Sequence, residues 1–192
     1  GLAIHHNRIN QPGLITAGSY VGAFFSAAAQ TTFNYNDVNS TGTGLTNAYG
    51  LQLVGSTITA RGNIFVSSWT VSGSSASLYL SQDSGIDSDY NDWFSSKTLN
   101  TMLWGSESGQ FAGGWFGKDS NSRAVDPLWA APSAGAGSED FHVKSAGGRY
   151  NPADGWTTPI LDDVTSLTID AGDPNDGFTN ETGSNNLGIN QG

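Results

Sequence analysis

The 192-residue chain has no cysteine, a single methionine, and only 7 lysines and arginines against 17 aspartates and glutamates. Each shortage excludes something. Without cysteine there is no disulfide framework, no catalytic thiol and no thiolate zinc site. A formal net charge of −10 argues against nucleic acid as a partner, because such binding rests on neutralising phosphates. No apolar run approaches the roughly 20 residues of a membrane-spanning helix, so membrane insertion is not expected. There is no G-x-S-x-G nucleophile elbow, no P-loop and no G-x-G-x-x-G fingerprint. AGAGSED, residues 134–140, spaces its glycines closely but sits among Pro and Ser, and reads as a linker. Disorder is also unexpected. Hydrophobic residues make up 36% and aromatics 11% of the chain, including six tryptophans, which is enough to fill a core.

What the chain does contain is a repeat. Asn7, Asn36, Asn63 and Asn91 recur about every 28 residues, each with an apolar residue two positions on: Ile9, Val38, Phe65 and Trp93. About a dozen residues before the last three lie the pairs Phe24 and Phe25, Leu51 and Leu53, and Leu78 and Leu80. Short alternating stretches between Gly, Ser, Thr and Asn read as strands rather than helices. One such set cannot bury its apolar face alone, whereas stacked sets can, with like residues in register. The spacing therefore predicts an all-β parallel solenoid over residues 1–96. At the bends, Asn would tolerate left-handed backbone, and its amides would hydrogen-bond up and down a ladder. A Greek-key sandwich is the competing architecture.

Two strings, GNIFVSS (62–68) and DSDYNDWFSS (87–96), resemble turn signatures of the pectate-lyase-like superfamily of parallel β-helices. VDPLW, DFHVKSAGGRY and LTIDAGDPNDGFTNE, within residues 125–192, resemble a tail that follows such helices in large secreted or surface bacterial proteins. The resemblance implies a right-handed parallel β-helix with a loop-rich C-terminal wrap, and an extracellular or cell-surface location. It leaves activity open, because that tail accompanies many activities and fold alone does not fix function. The strings NTD, GHG and RIK of polygalacturonases are missing. A surface at −10 also disfavours acidic substrates.

The second half breaks the spacing after Trp93. Residues 97–123 hold Trp104, Phe111, Trp115 and Phe116 among Gly and Ser, which suggests an aromatic-anchored excursion on the solenoid's side. Short strands are expected at 125–129, 141–143 and 167–169, and residues 97–192 are expected to wrap and cap the same domain. The opening residues GLAIHHNRIN and the closing NNLGINQG both read as cut from something longer, or as ends that meet other copies.

Several constellations bear on chemistry. Asp83, Asp87, Asp89 and Asp92 form an acidic cluster whose carboxylates suit acid–base work or calcium, though solvated turns are the ordinary reading. Asp170, Asp173, Asp176, Asn180 and Glu181 place oxygen donors around Gly172 and Gly177, and are the better calcium candidates. His5 and His6 would point to opposite faces of a strand, which works against a shared metal; either, with Arg8 beside it, is a candidate general base. Trp69, Trp93, Trp104, Trp115, Trp129 and Trp156, with Tyr90, could stack on sugar rings, although burial is the usual fate of large aromatics. Asn39 and Asn180 fit the glycosylation pattern. The expected function is a non-catalytic structural or adhesive module that scaffolds, self-associates through its ends, or weakly binds glycans. The alternative is the trailing part of a polysaccharide lyase or glycoside hydrolase, with His5, His6, Arg8, Asp87, Asp89 and Asp92 as contributors.

Overall fold

The computed structural model describes residues 1–11, 18–45, 47–71, 75–95, 102–104, 107–109, 119–135, 137–177 and 190–191. Among these the chain is all-β, with no helix. Its strands follow one another in groups of three. The first group is β1 (Ala3–His5), β2 (Arg8–Gln11) and β3 (Ser19–Ser26), and the second is β4 (Thr31–Asn34), β5 (Asp37–Leu45) and β6 (Asn47–Val54). The third is β7 (Thr57–Arg61), β8 (Ile64–Val71) and β9 (Ser75–Leu80), and the fourth is β10 (Gly85–Asp89), β11 (Asp92–Phe94) and β12 (Met102–Trp104). Each strand pairs in parallel with the strand three places on, not with its neighbour in sequence. The result is a first sheet β1-β4-β7-β10, a second β2-β5-β8-β11 and a third β3-β6-β9-β12. A further strand, β13 (Glu107–Gly109), runs antiparallel to β12 at the edge of the third sheet.

The register explains why these short strands hold. Ile9, Val38, Phe65 and Trp93 align in the second sheet, and Ile4, Phe33 and Ala60 in the first. In the third, Ala23, Leu51 and Leu78 form one column and Phe25, Leu53 and Leu80 another. The three sets meet in one core. The Phe33 and Phe65 rings stack at 5.9 Å, and Phe65 and Trp93 at 4.4 Å and 3°. Each fully buried side chain of this size contributes about 1.5–3 kcal/mol. One expectation needs correction. Phe24 is not a core residue: strand alternation turns it outward, 55% exposed, against Gln52 of the neighbouring strand, while Ala23 fills the column.

At the bend between the first and second sheets the four asparagines hydrogen-bond in series. Asn7 Nδ2 donates to Asn36 Oδ1, Asn36 Nδ2 to Asn63 Oδ1 and Asn63 Nδ2 to Asn91 Oδ1, at 3.0, 3.0 and 2.9 Å. Each Oδ1 also accepts the backbone N–H of the asparagine one group earlier. The left-handed backbone, however, belongs to the residue before each asparagine: His6, Tyr35, Gly62 and Tyr90, with φ of 55°, 54°, 67° and 57°. The preceding residue makes the bend and leaves the amide in place for the ladder. Glycine is required only at position 62, where a Cβ would collide with the ring of Tyr35. A second polar column lies at the bend from the third sheet to the first. There Ala28 N–H donates to Ser56 Oγ at 3.0 Å, and Ser56 N–H to Ser84 Oγ at 3.3 Å.

The repeat also resumes beyond Trp93. Asn91 N–H donates to Ser122 Oγ at 2.7 Å, and Arg123 pairs in parallel with Asp92. Serine replaces asparagine at this point of the column, and the separation is 31 residues. Next come two antiparallel hairpins, β14 (Trp129–Ala131) with β15 (Asp140–Val143), and β16 (Arg149–Asn151) with β17 (Gly155–Ile160). Of the expected later strands, 141–143 falls within β15, 125–128 is irregular, and Leu167–Ile169 is a turn. The first hairpin lies over the outward face of the second sheet, where Trp129 and Phe141 pack on Ile64 and Val66 in a second apolar cluster. The second sheet is therefore covered on both faces.

Candidate functional site

Where that hairpin meets the start of the second sheet, a cleft of about 200 Å³ opens. His6 and Asn7 at the bend, Arg8 of β2, Tyr35 and Asp37 from the next group, His142 of β15, and Asn190 and Gln191 all line it. Asp37 and Arg8 share a register position on adjacent strands, so both project from the outward face of the sheet. Arg8 Nε approaches Asp37 Oδ2 at 3.8 Å. Burial pushes the Asp37 carboxyl up to about 7, partly opposed by Arg8 and by the Trp129 indole. The indole lies close enough to act on the carboxyl, but neither Asp37 Oδ1 nor Trp129 Nε1 has a hydrogen-bond partner.

His142 is held from behind. Its Nδ1 lies 2.6 Å from Asp140 Oδ1, and its ring stacks on Tyr150 at 5.0 Å. Burial works against the Asp140 charge, but the His142 backbone N–H, its ring and Arg149 outweigh it and lower the Asp140 carboxyl. Arg149 in turn bridges Asp140 at 2.9 Å and Asp162 at 3.0 Å. A buried acid, a carboxylate-oriented imidazole and a guanidinium thus face one small volume. These are the groups that proton transfer and anion recognition both use. A second cleft, of about 360 Å³, lies farther along the same sheet between Asn39, Phe94, Trp129 and Lys144.

The residues singled out in the sequence distribute unevenly around this cleft. His6 and Arg8 line it. His5 does not, but His6 sits at a bend rather than in a strand, so the two Nδ1 atoms come within 3.0 Å instead of pointing apart. His6 is lowered by burial and then by His5. The acidic cluster is not convergent. Asp87 faces Arg61 at 3.4 Å on the first sheet, and Asp89 accepts both nitrogens of Asn121. Asp92 is buried on the second sheet, where it accepts the Val125 N–H at 2.9 Å, and burial raises its carboxyl well above the usual range.

The calcium candidates are likewise engaged. Asp173 accepts from Asn175 and lies 3.6 Å from the Arg61 guanidinium; Asp176 accepts the Tyr35 hydroxyl; Asp170 N–H donates to Asn190. Among the described residues, no three acidic or histidine side chains gather to hold a metal. Asn180 and Glu181 lie outside the described residues, as do Phe111, Trp115 and Phe116 and the side chains of Trp69 and Trp104. Of the other tryptophans, Trp93 and Trp129 are buried, and Trp156 is 48% exposed and meets Tyr150 edge-on at 6.0 Å.

Asp37 went unremarked in the sequence, and Asp140 and His142 stood out only as part of the DFHVKSAGGRY string. A signal for Asp37 existed, because an aspartate follows the ladder asparagine at both Asn36 and Asn91. Comparison with known protein families, curated proteins and solved structures gives no match, so the site is read from its own geometry.

Proposed function

We propose that the chain is a right-handed parallel β-helix, a solenoid with a loop-rich C-terminal wrap. We further propose that it serves as a non-catalytic structural or adhesive module, extracellular or at the cell surface. The observation that carries this reading is the continuous asparagine column, flanked by apolar columns in register. Cohesion directed along a stack gives a rigid body whose length grows with each added group of strands. Among the described residues β1, β2 and β3 each have a strand partner on one side only. A further group, in cis or from another copy, would extend all three sheets at once, and that supports self-association. The exposed Trp156 with Tyr150 supports weak glycan contact. Light scattering over a hundred-fold concentration range should show mass rising with concentration, and affinity electrophoresis on neutral polysaccharides should show slight retardation. A concentration-independent monomer with no retardation on any polysaccharide would remove the reading.

A second reading, that the chain belongs to a polysaccharide lyase or glycoside hydrolase, is favoured by one observation: Asp37 faces the same cleft as Arg8 and His142. It predicts depolymerising activity that disappears in both Asp37→Asn and His142→Ala; the module reading predicts silence with the unaltered chain. Calcium is tested alongside. A melting temperature raised by calcium, restored by chelator and unmoved by calcium in Asp173→Asn would assign an ion to the 170–181 segment.

A further inference from the structure

We propose that the cleft between β2, β5 and β15 is a binding site for a small oxyanion, the carboxylate or phosphate group of an organic ligand, seated on the Arg8 guanidinium. The inference stands apart from the scaffold reading, because a rod with or without partners can carry it.

The guanidinium's situation points this way. Among the described arginines, Arg61, Arg123 and Arg149 each place a terminal nitrogen on a protein oxygen. Arg8 does not: its approach to a carboxylate is through Nε at 3.8 Å, and its side chain is 53% exposed. The terminal fork, the part that grips an oxyanion through two parallel hydrogen bonds, is left to the cleft.

The rest of the wall suits the same guest. Asp140 engages His142 at Nδ1, leaving Nε2 as the free ring nitrogen. As an imidazolium the ring donates from Nε2 to an anion. Among the described residues Asp37 is the one carboxyl lining the cleft, and its burial makes it reluctant to ionise. Below neutrality it turns from a competitor for Arg8 into a hydroxyl donor toward the ligand. The volume of about 200 Å³ falls under the roughly 300 Å³ of drug-sized pockets, so the guest is small. On a chain with net charge −10, the site works by local contacts rather than by long-range attraction.

Binding should therefore strengthen as pH falls. The charged and titratable groups facing the guest are Arg8 on β2, Asp37 on β5, His6 at the bend and His142 on β15, with Asp140 and Arg149 behind the last. Ionising Asp37 restores its pairing with Arg8 and removes a hydroxyl donor.

The test is an NMR titration of the full chain at pH 6 and constant ionic strength, in separate arms with sodium acetate and inorganic phosphate. Expected are saturable shifts confined to the His6, Arg8 and His142 signals, half-complete on the order of millimolar. Saturation by acetate alone assigns a carboxylate and by phosphate alone a phosphoryl group; both support the site. Arg8→Gln should weaken binding at least tenfold, Arg61→Gln should leave it unchanged, and pH 8 should weaken it about tenfold. Because Arg8 is half exposed, the substituted chain should keep its spectrum elsewhere, and Arg8→Lys gives a second variant with the charge retained and the fork lost. Shifts that stay linear in both arms, or equal affinity in Arg8→Gln, would overturn the proposal.

Discussion

Replacing Asn63 by alanine removes a fully buried amide from the middle of the asparagine column. Its Oδ1 accepts from Asn36 N and Nδ2 at 2.9 and 3.0 Å, and its Nδ2 donates to Phe33 O and Asn91 Oδ1 at 2.7 and 2.9 Å. Asn36 and Asn63 are both fully buried, so water cannot replace what is lost. Two groups suffer most: the Asn36 N–H and the Phe33 carbonyl. A buried unsatisfied group costs about 1–3 kcal/mol, so Asn63→Ala should cost about 3–5 kcal/mol, a large part of an ordinary domain's stability. Asn7 provides the internal control. It donates to Asn36 Oδ1 and His5 O at the exposed end of the column, and Asn7→Ala should cost below about 1 kcal/mol. Urea unfolding followed by the fluorescence of buried Trp93 measures both. Equal costs for the two substitutions, or a cost near zero at Asn63, would refute the claim that the column holds the stack.

Two other outcomes follow from the same geometry. Asp37 has its folded value raised from 3.8 to about 7, so its contribution to stability is fully present below 3.8 and lost as pH rises from there to about 7. At ~1.4 kcal/mol per pH unit the interval amounts to about 4 kcal/mol at most. Asp37→Asn should therefore raise the melting temperature at pH 8 and flatten the profile between about pH 4 and 7, as calorimetry would show. At Gly62, alanine must adopt φ +67° and displace the Tyr35 ring, so Gly62→Ala should cost about 1–3 kcal/mol. Adding Tyr35→Ala should recover part of that cost if the collision is the cause, and none if the backbone angle alone is.

How much of this was legible beforehand depended on whether the signal was periodic. The asparagines and Ile9, Val38, Phe65 and Trp93 could be found because one residue type or class recurs at one spacing. Phe24 misled because two adjacent phenylalanines hide which of them faces inward, and only the pairing of Ala23 with Leu51 decides it. Ser122 escaped because it does the asparagine's work with a shorter side chain and a longer interval. The left-handed residues were invisible for a different reason. His, Tyr, Gly and Tyr share no chemistry, only a place before asparagine. The cleft was legible by halves: His6 and Arg8 stand out near the start, but Asp37 and His142 lie 105 positions apart in sequence, and the hairpin over the second sheet is what unites them.

The stacked register itself can be tested directly, helped by the chain's having no cysteine. Thr32 and Thr59 are register partners on adjacent strands of the first sheet, and Asp87 is the next partner beyond Thr59. Adjacent strands lie ~4.8 Å apart, within reach of a disulfide, and alternate strands at about twice that are not. Under mild oxidation, the pair Thr32→Cys with Thr59→Cys should link within the monomer, as peptide mapping would show, while Thr32→Cys with Asp87→Cys should stay reduced. The reverse pattern, or no linkage in either pair, would contradict the parallel stacking on which the proposed β-helix rests.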